Sequence, residues 1–419
     1  MDFLGFDFSE ETIALAEQAE KDCLERFLDI DRVAMSCSAK VLRAFQEMRV
    51  STTDFLEITG YGYDDPGRDK LERIYARVFG AEDALVRPQL MSGTHALAVA
   101  LGGLLKPNDI LLSVSGEPYD TLRSVIGTSG ESRNSLMAYG VKYEEIDLKN
   151  GTFDLAAIEE RIRRGGVKVA EIQRSRGYSH RKSLPVAEIA ETIRVIHEAD
   201  PSVIVLVDNC YGDFTEMQEP TDFGADVIVG SMMKNLGAGL AVTGAYCVGR
   251  EDVIADIADR LTAPCIGKSL GANMNQLTSF YKGLFMAPSV VASALKSMVF
   301  AARMLELAGF EHISPTYLEE RTDIVQTVDL MTEENLVNFC RGIQAGSPVE
   351  SYVSPIPDDM PGYPHKEVMA AGTFTTGATI ELSCDGPCTP PYTAYMQGGL
   401  TYEYGKLGIM HAIDFMIRK

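Results

Sequence analysis

Positive charge is what this chain has least of. Across 419 residues, 38 lysines and arginines stand against 60 aspartates and glutamates, a net charge of -22. Nucleic acids and anionic membranes are held by basic surfaces, so neither is an expected partner. Residues Met1 to Glu11 contain no basic segment followed by an apolar one, the pattern of a secretory signal. No uninterrupted apolar run reaches the length of a membrane span, and the expected location is the cytoplasm. The eight cysteines are scattered. Cys384 and Cys388 are spaced as C-x3-C, but no second pair or nearby histidine completes a tetrahedral zinc site. Reduced thiols and no metal centre are therefore expected.

What is present is enough apolar sequence, 46% of the residues, for a large core and two domains. Residues 9–48 read as two helices, the first started by Ser9, Glu10 and Glu11. The segment 59–68 breaks regular structure with glycines and Asp65-Pro66-Gly67, and presents its tyrosines outward. From about 70 to 250, helical patterns alternate with short apolar strands near 84–86, 109–114, 168–172, 203–207, 226–229 and 244–248. That alternation predicts an α/β fold with a mostly parallel sheet covered on both faces. A helix from Val290 to Leu307, after Pro288, is expected to bridge to a smaller α+β domain. Its expected elements are strand 323–330, helix 332–345, strand 379–383 and a last helix near 403–418. The division is a helical arm (1–60), a large domain (61–288) and a small domain (289–419). The proline-rich loop 347–366 is long enough to expect a functional or partner-contacting role.

The chemistry is concentrated at strand ends. The strand 226–229 runs through Gly230, Ser231, Met232 and Met233 into Lys234, then a turn containing Gly237 and Gly239. A lone lysine is ordinarily a solvated surface residue; this one follows a buried strand. The rival, Lys268, has no preceding strand. The strand 203–207 ends in Asp208. A lysine to bond the aldehyde of pyridoxal phosphate, and a carboxylate to keep the ring nitrogen protonated, are what such an enzyme requires. Ser92-Gly93-Thr94 opens a helix after another strand, which supplies N–H groups and hydroxyls for a phosphate; alone it would read as an ordinary helix cap. Tyr119 lies past the next strand end, where a ring can stack on the cofactor. Ser231 offers a further hydroxyl. The loop Gln173-Arg174-Ser175-Arg176-Gly177-Tyr178 sits where ligands of open α/β sheets gather, with a basic surface loop as the plain alternative. Lys234 must be neutral part of the time to attack an aldehyde, so burial and nearby positive charge are expected to lower its pKa.

Several longer motifs occur in one order: Gly-Tyr-Gly-Tyr-Asp-Asp-Pro-Gly-Arg (60–68), Arg-Pro-Gln-Leu-Met-Ser-Gly-Thr-His-Ala (87–96), Gly-Glu-Pro-Tyr-Asp-Thr-Leu (116–122), Val-Asp-Asn-Cys-Tyr-Gly-Asp-Phe (207–214) and Gln-Gly-Gly-Leu-Thr-Tyr-Glu (397–403). With Gln173–Tyr178 and Lys234–Gly237, they resemble the cystathionine-lyase-like enzymes known as methionine gamma-lyases or aluminium resistance proteins, of fold type I. The resemblance implies a pyridoxal-phosphate transferase-like fold, Lys234 as covalent anchor and base, and Asp208 at the ring nitrogen. It further implies Gly93 and Thr94 at the phosphate and Tyr119 stacked on the ring; the residues themselves add Ser92 and Ser231 as phosphate hydroxyls, Arg176 as a contact from its loop, and Tyr119 as an acid for the leaving sulfur. In the wider group a tyrosine and an arginine from a neighbouring subunit complete the site; here Tyr61 or Tyr63, with Arg68, fall in that stretch. A homo-oligomer, dimer or tetramer, follows. Two departures stand out: Met233 replaces the threonine usual before the lysine, and Cys388 replaces the arginine expected after Asp385-Gly386-Pro387. The implied activity is elimination of a thiol from methionine, cystathionine or a cysteine-like amino acid. The alternatives are γ-replacement, transamination or a non-catalytic metal-tolerance role.

Overall fold

The computed structural model describes residues 5–130, 132–360 and 365–418. The two expected N-terminal helices are present as α1 (Glu10–Asp22) and α2 (Leu24–Glu47). Ser9 caps the first by accepting the Thr12 N–H at 3.1 Å, and Glu10 and Glu11 complement the positive end of its dipole. Tyr61 and Tyr63 are exposed, as expected, but Asp65-Pro66-Gly67 is a helix start rather than a free turn. Asp65 accepts the Arg68 N–H at 3.0 Å and Pro66 opens the next helix, where its missing N–H costs nothing.

That helix, α3 (Pro66–Val78), leads into a sheet of seven strands among the described residues: β1 (Asp83–Arg87), β2 (Ile110–Ser113), β3 (Lys142–Glu145), β4 (Val167–Gln173), β5 (Ile204–Asp208), β6 (Val227–Ser231) and β7 (Ala245–Gly249). Their order is β1-β7-β6-β5-β4-β2-β3. β3, β2, β4, β5 and β6 are parallel, whereas β7 runs antiparallel to β6 and β1. The mostly parallel α/β sheet expected from the alternating pattern is therefore present. It is connected through α4 (Gly93–Leu104), α5 (Asp120–Ile126), α6 (Leu155–Arg163), α7 (Val186–Ala199) and α8 (Glu251–Leu261). Alternate strand residues enter different cores: Val205 and Val207 join one apolar cluster, Ile204 and Leu206 the other. Both faces are thus covered, which is why these strands lack a polar side. β3, short and charged, was not legible as a strand.

The helix expected from Val290 instead begins at Leu277 and runs through Pro288 to Leu307 as α9, 31 residues long. An interior proline costs a helix about 3 kcal/mol. Burying each of Leu284, Val291 and Leu295 returns about 1.5–3 kcal/mol, so packing overrides the local penalty. By length and composition α9 passes for a membrane span, but 72% of its apolar window is buried inside the fold, the mark of a core helix. Lys282 and Lys296 kept it from reading as an uninterrupted run.

Beyond α9 lies a second, antiparallel sheet of β8 (Ile313–Ser314), β9 (Val325–Asp329), β10 (Asp358–Asp359), β11 (Lys366–Ala370), β12 (Ser383–Pro387) and β13 (Thr393–Gln397), in the order β10-β11-β12-β13-β9-β8. Helices α10 (Glu333–Ala345) and α11 (Tyr402–Ile417) accompany it. The strand expected over 379–383 is not formed; pairing begins at Ser383. In its place the Glu381 carboxylate accepts the Phe374 and Thr375 N–H groups, both at 2.9 Å, and the Ile380 N–H donates to the Met233 carbonyl at 3.3 Å. These groups tie a loop against the lysine segment rather than extending a ladder. The loop 347–366 contains β10, and its residues 361–364 lie outside the described ones.

Candidate active site

Two strand ends of the first sheet and two helix starts meet at one pocket. At the end of β5, Asp208 accepts the Cys210 N–H at 3.0 Å, which fixes one carboxylate oxygen of a side chain that lines the pocket. Lys234 follows the end of β6 by three residues; it is half-buried, with Nζ 4.0 Å from the centre of the Tyr211 ring. The turn after it depends on missing side chains. A Cβ on Gly237 would run into the Met232 carbonyl, and a Cβ on Gly283 of α9 would lie 2.9 Å from the Gly237 Cα.

Helix α4 enters from the same side. Ser92 caps it by accepting the His95 N–H at 3.2 Å. The first-turn N–H groups of Gly93 and Thr94 have no helical carbonyl to bond, and they carry the positive end of the dipole. A Cβ on Gly93 would lie 3.0 Å from Cys210 Sγ and 3.5 Å from Ser231 Cβ, so glycine lets α4 settle onto the ends of β5 and β6. Thr94 Oγ1 and Thr121 Oγ1, at the starts of α4 and α5, are 2.7 Å apart.

The opposite wall comes from the second sheet, through Val325, Asp385, Tyr395 and Gln397. The Tyr119 ring stacks on Tyr178, with centroids 5.7 Å apart and planes at 21°. Tyr178 packs edge-on against Tyr395 at 4.9 Å and its hydroxyl donates to the Asp385 carboxylate. The Tyr119 N–H donates to Gln173 Oε1 at 2.6 Å. Both sheets thus contribute to one partly open pocket at the strand ends.

Beneath the pocket, one buried knot holds the carboxylate and lysine segments together. Asn209 Nδ2 donates to Asp213 Oδ1 and Asn235 Nδ2 to the Asp213 carbonyl, each at 2.8 Å. Tyr246 donates to the same Asp213 carboxylate, and Arg174 donates to Asn209 Oδ1 at 2.8 Å and Glu219 Oε2 at 3.1 Å. The residues following Asp208 and Lys234 are therefore pinned to one aspartate.

The electrostatics differ from expectation at the lysine. Burial pushes the Lys234 amine down, but Cys210, Tyr211 and Asp208 push it up, and the net position is above an ordinary lysine. Burial also raises the Cys210 thiol and takes the Tyr211 phenol up to about 12. The expected nearby positive charge is missing: Lys234 is the only basic side chain among the described pocket-lining residues.

Burial moves several carboxyls upward, among them Asp385 to about 6, against the opposing hydrogen bond from Tyr178, and Glu171 to about 8, as it does Asp213 of the knot. Their folded values exceed the unfolded ones, so the associated stability is complete below about pH 4 and is lost as pH rises through each folded value. The melting temperature is expected to fall between about pH 4 and about pH 8, with Glu171→Gln flattening part of the slope. A melting temperature that climbs over that interval would contradict these assignments.

Of the residues singled out in the sequence, Gly93, Thr94, Tyr119, Asp208 and Lys234 line the pocket together. Ser92 and Ser231 act locally, Ser231 accepting the Met233 N–H at 3.2 Å. Arg176 is fully buried, with Nη1 donating to the Ser314 carbonyl at 3.0 Å and Nε 3.9 Å from Asp323. Tyr63 and Arg68 share a separate surface groove with Lys268, where Arg68 donates to the carbonyls of Gly62 and Gly271 at 2.6 and 3.1 Å. Lys268 itself pairs with Asp83 and Glu72. Sequence reasoning missed Thr121, Cys210, Tyr211, Asp385, Tyr395 and Gln397. All but Tyr395 lie in motifs quoted above, Thr121 in 116–122, Cys210 and Tyr211 in 207–214, Asp385 in Asp-Gly-Pro and Gln397 in 397–403, but they were read there as resemblance and given no place in the site.

Comparison with known proteins gives matches over nearly the full length. The methionine gamma-lyase family profile matches residues 12–417. An uncharacterized protein of Bacillus subtilis strain 168, YnbB, is 46% identical over 406 residues, covering 96% of each chain. The crystal structure of a carbon-sulfur lyase involved in aluminum resistance from Clostridium novyi NT superposes with a TM-score of 0.94 at 43% identity, over 98% of this chain and 97% of that one. A pyridoxal-5'-phosphate-dependent protein of Escherichia coli, YhfS, shares the fold at 20% identity and a TM-score of 0.60, over 92% of this chain and 95% of that one.

Proposed function

The chain belongs to the methionine gamma-lyase family, and from that premise we propose that it is a pyridoxal-phosphate-dependent carbon–sulfur lyase acting on a sulfur amino acid. The observation that carries the reading is the meeting of Lys234, Asp208 and the α4 N-terminus in one pocket. The donor set suits the cofactor: an amine for its aldehyde, a carboxylate for its ring nitrogen, and the Gly93 and Thr94 N–H groups for its phosphate. When bound, the cofactor supplies a ring that takes up the electron pair left when an amino acid loses its Cα proton.

This chain's residues do the rest. Lys234, the only basic side chain lining the pocket, is the candidate to remove that proton once its amine is free. Tyr119, held by Gln173 and stacked on Tyr178, is the candidate acid for the departing sulfur. Asp385 keeps the Tyr178 hydroxyl engaged, and Val325 and Tyr395 close the side facing the second sheet. We further propose a homo-oligomer in which the exposed Tyr61–Tyr63 loop reaches a neighbouring copy; a fully active monomer by sizing would refute it.

The test is to incubate purified protein with methionine, cystathionine and cysteine separately, and to assay thiol and keto acid. Thiol with keto acid supports elimination. Keto acid without thiol indicates transamination, and no turnover of any of the three overturns the lyase reading.

A further inference from the structure

The scarce positive charge of this chain is unevenly spent. A cleft bordered by α2, α9 and the segments around residues 176–183 and 315–322 is lined by Arg176, Arg181 and Arg321. Arg176 and Arg321 are 1% and 6% exposed. The guanidinium groups of Arg181 and Arg321 meet only neutral acceptors. Arg181 donates to the carbonyls of Gln173 at 2.7 Å, Ser175 at 2.6 Å and Lys182 at 3.0 Å. Arg321 donates to Gln326 Oε1 at 2.5 Å and to the carbonyls of Met298 and Pro315 at 3.2 and 3.4 Å.

Among the described residues, the one carboxylate within ion-pair distance of any of the three is Asp323, 3.9 Å from Arg176 Nε. Its oxygens already accept from the Ser175 hydroxyl at 2.9 Å and from the Arg176 and Val325 N–H groups, each at 3.1 Å. Three further carboxylates of the cleft are engaged elsewhere, Glu216 by Arg174, Glu319 by Lys182, and Asp29 by Arg26 and Arg32, while Glu188 and Glu320 line it outside ion-pair distance of the three arginines. Four buried guanidinium nitrogens, Nε and Nη2 of Arg176 and Nε and Nη1 of Arg321, have no hydrogen-bond partner among the described residues. Burial, with repulsion from Arg176, presses the Arg321 and Arg181 groups toward losing their charge. Arginine resists that loss, so the three charges stay, with Asp323 the one carboxylate at ion-pair distance among the described residues. A buried cation without a counter-charge is strongly unfavourable, and guanidinium is the group best shaped to grip an oxyanion.

We propose that this cleft binds a small oxyanion, phosphate or carboxylate, between Arg176, Arg181 and Arg321. The site is distinct from the pocket holding Lys234, yet joined to it. The two carbonyls that Arg181 Nη2 holds belong to Gln173 and Ser175, both of which line that pocket.

The test uses purified protein saturated with pyridoxal phosphate, in chloride buffer, titrated calorimetrically with inorganic phosphate and, separately, with malonate. The expected result is saturable binding of at least one anion; which one binds identifies the headgroup. Arg321→Gln and Arg181→Gln should each weaken it roughly tenfold or more. Arg43→Gln, on the surface outside the cleft with its side chain 73% exposed, should leave it unchanged. Circular dichroism checks folding, and if Arg321→Gln fails to fold, Arg181→Gln alone decides. Absence of saturable binding to either anion, or binding that survives the folded variants, overturns the proposal. No turnover is read, so the outcome is independent of the lyase reading.

Discussion

Lys234→Ala is expected to lower turnover by at least about a thousandfold, because it removes the proposed covalent anchor and the proposed base together. The fold should survive, since the side chain is half-buried and ends beside the Tyr211 ring and the Cys210 thiol rather than in a buried ion pair. The sharper readout is optical. Wild-type protein should carry the visible absorbance of lysine-bound cofactor, and the alanine variant should lose or shift it. Lys234→Arg is the informative companion, because it keeps a positive charge near Asp208 and Tyr211 but cannot form the same bond. An absorbance unchanged in both variants would remove Lys234 from its proposed role, whatever the activity did.

Asp208→Asn should separate charge from shape. Asparagine can still accept the Cys210 N–H that Asp208 accepts at 3.0 Å, so the turn after β5 should persist. What goes is the anion. Turnover is expected to fall by roughly a hundred- to ten-thousandfold, with the cofactor colour retained. Asp208 also helps to hold the free Lys234 amine above its ordinary range, so in the cofactor-free variant the lysine should give up its proton at lower pH, read from the pH dependence of its labelling by an amine reagent. A rate within tenfold of wild type, with an unshifted titration, would mean that the carboxylate serves only the turn.

These two residues were legible because each ends a short apolar strand, and strand ends of a parallel sheet converge on one edge. Gly93, Thr94 and Tyr119 were legible for the same reason. The second wall was not. Asp385 and Tyr395 sit on β12 and β13, and they meet Tyr178 and Tyr119 across more than 200 residues of sequence. No local pattern encodes that meeting. The charge environment of Lys234 was misjudged for a related reason: its neighbours Cys210 and Tyr211 follow Asp208 in a turn where Tyr211 adopts a positive φ of 67°, which composition alone does not reveal. Local rules also lost to packing at Pro288, where buried side chains carry a helix through a residue that normally ends one. Over 379–383, side-chain acceptors drew an apolar segment out of the ladder it was expected to join.

The bare contact between Gly283 and Gly237 has a mechanical meaning. Two backbones meeting without side chains leave no compliant layer between them, so α9 and the lysine turn cannot be repositioned separately. The same rod reaches the second sheet, through Leu305 and its neighbours in the shared core. A tilt of that sheet by a fraction of an ångström at the rod's far end is therefore geared into the position of the Lys234 backbone. Tuning of this protein by substitution is to be sought along α9 as much as in the pocket.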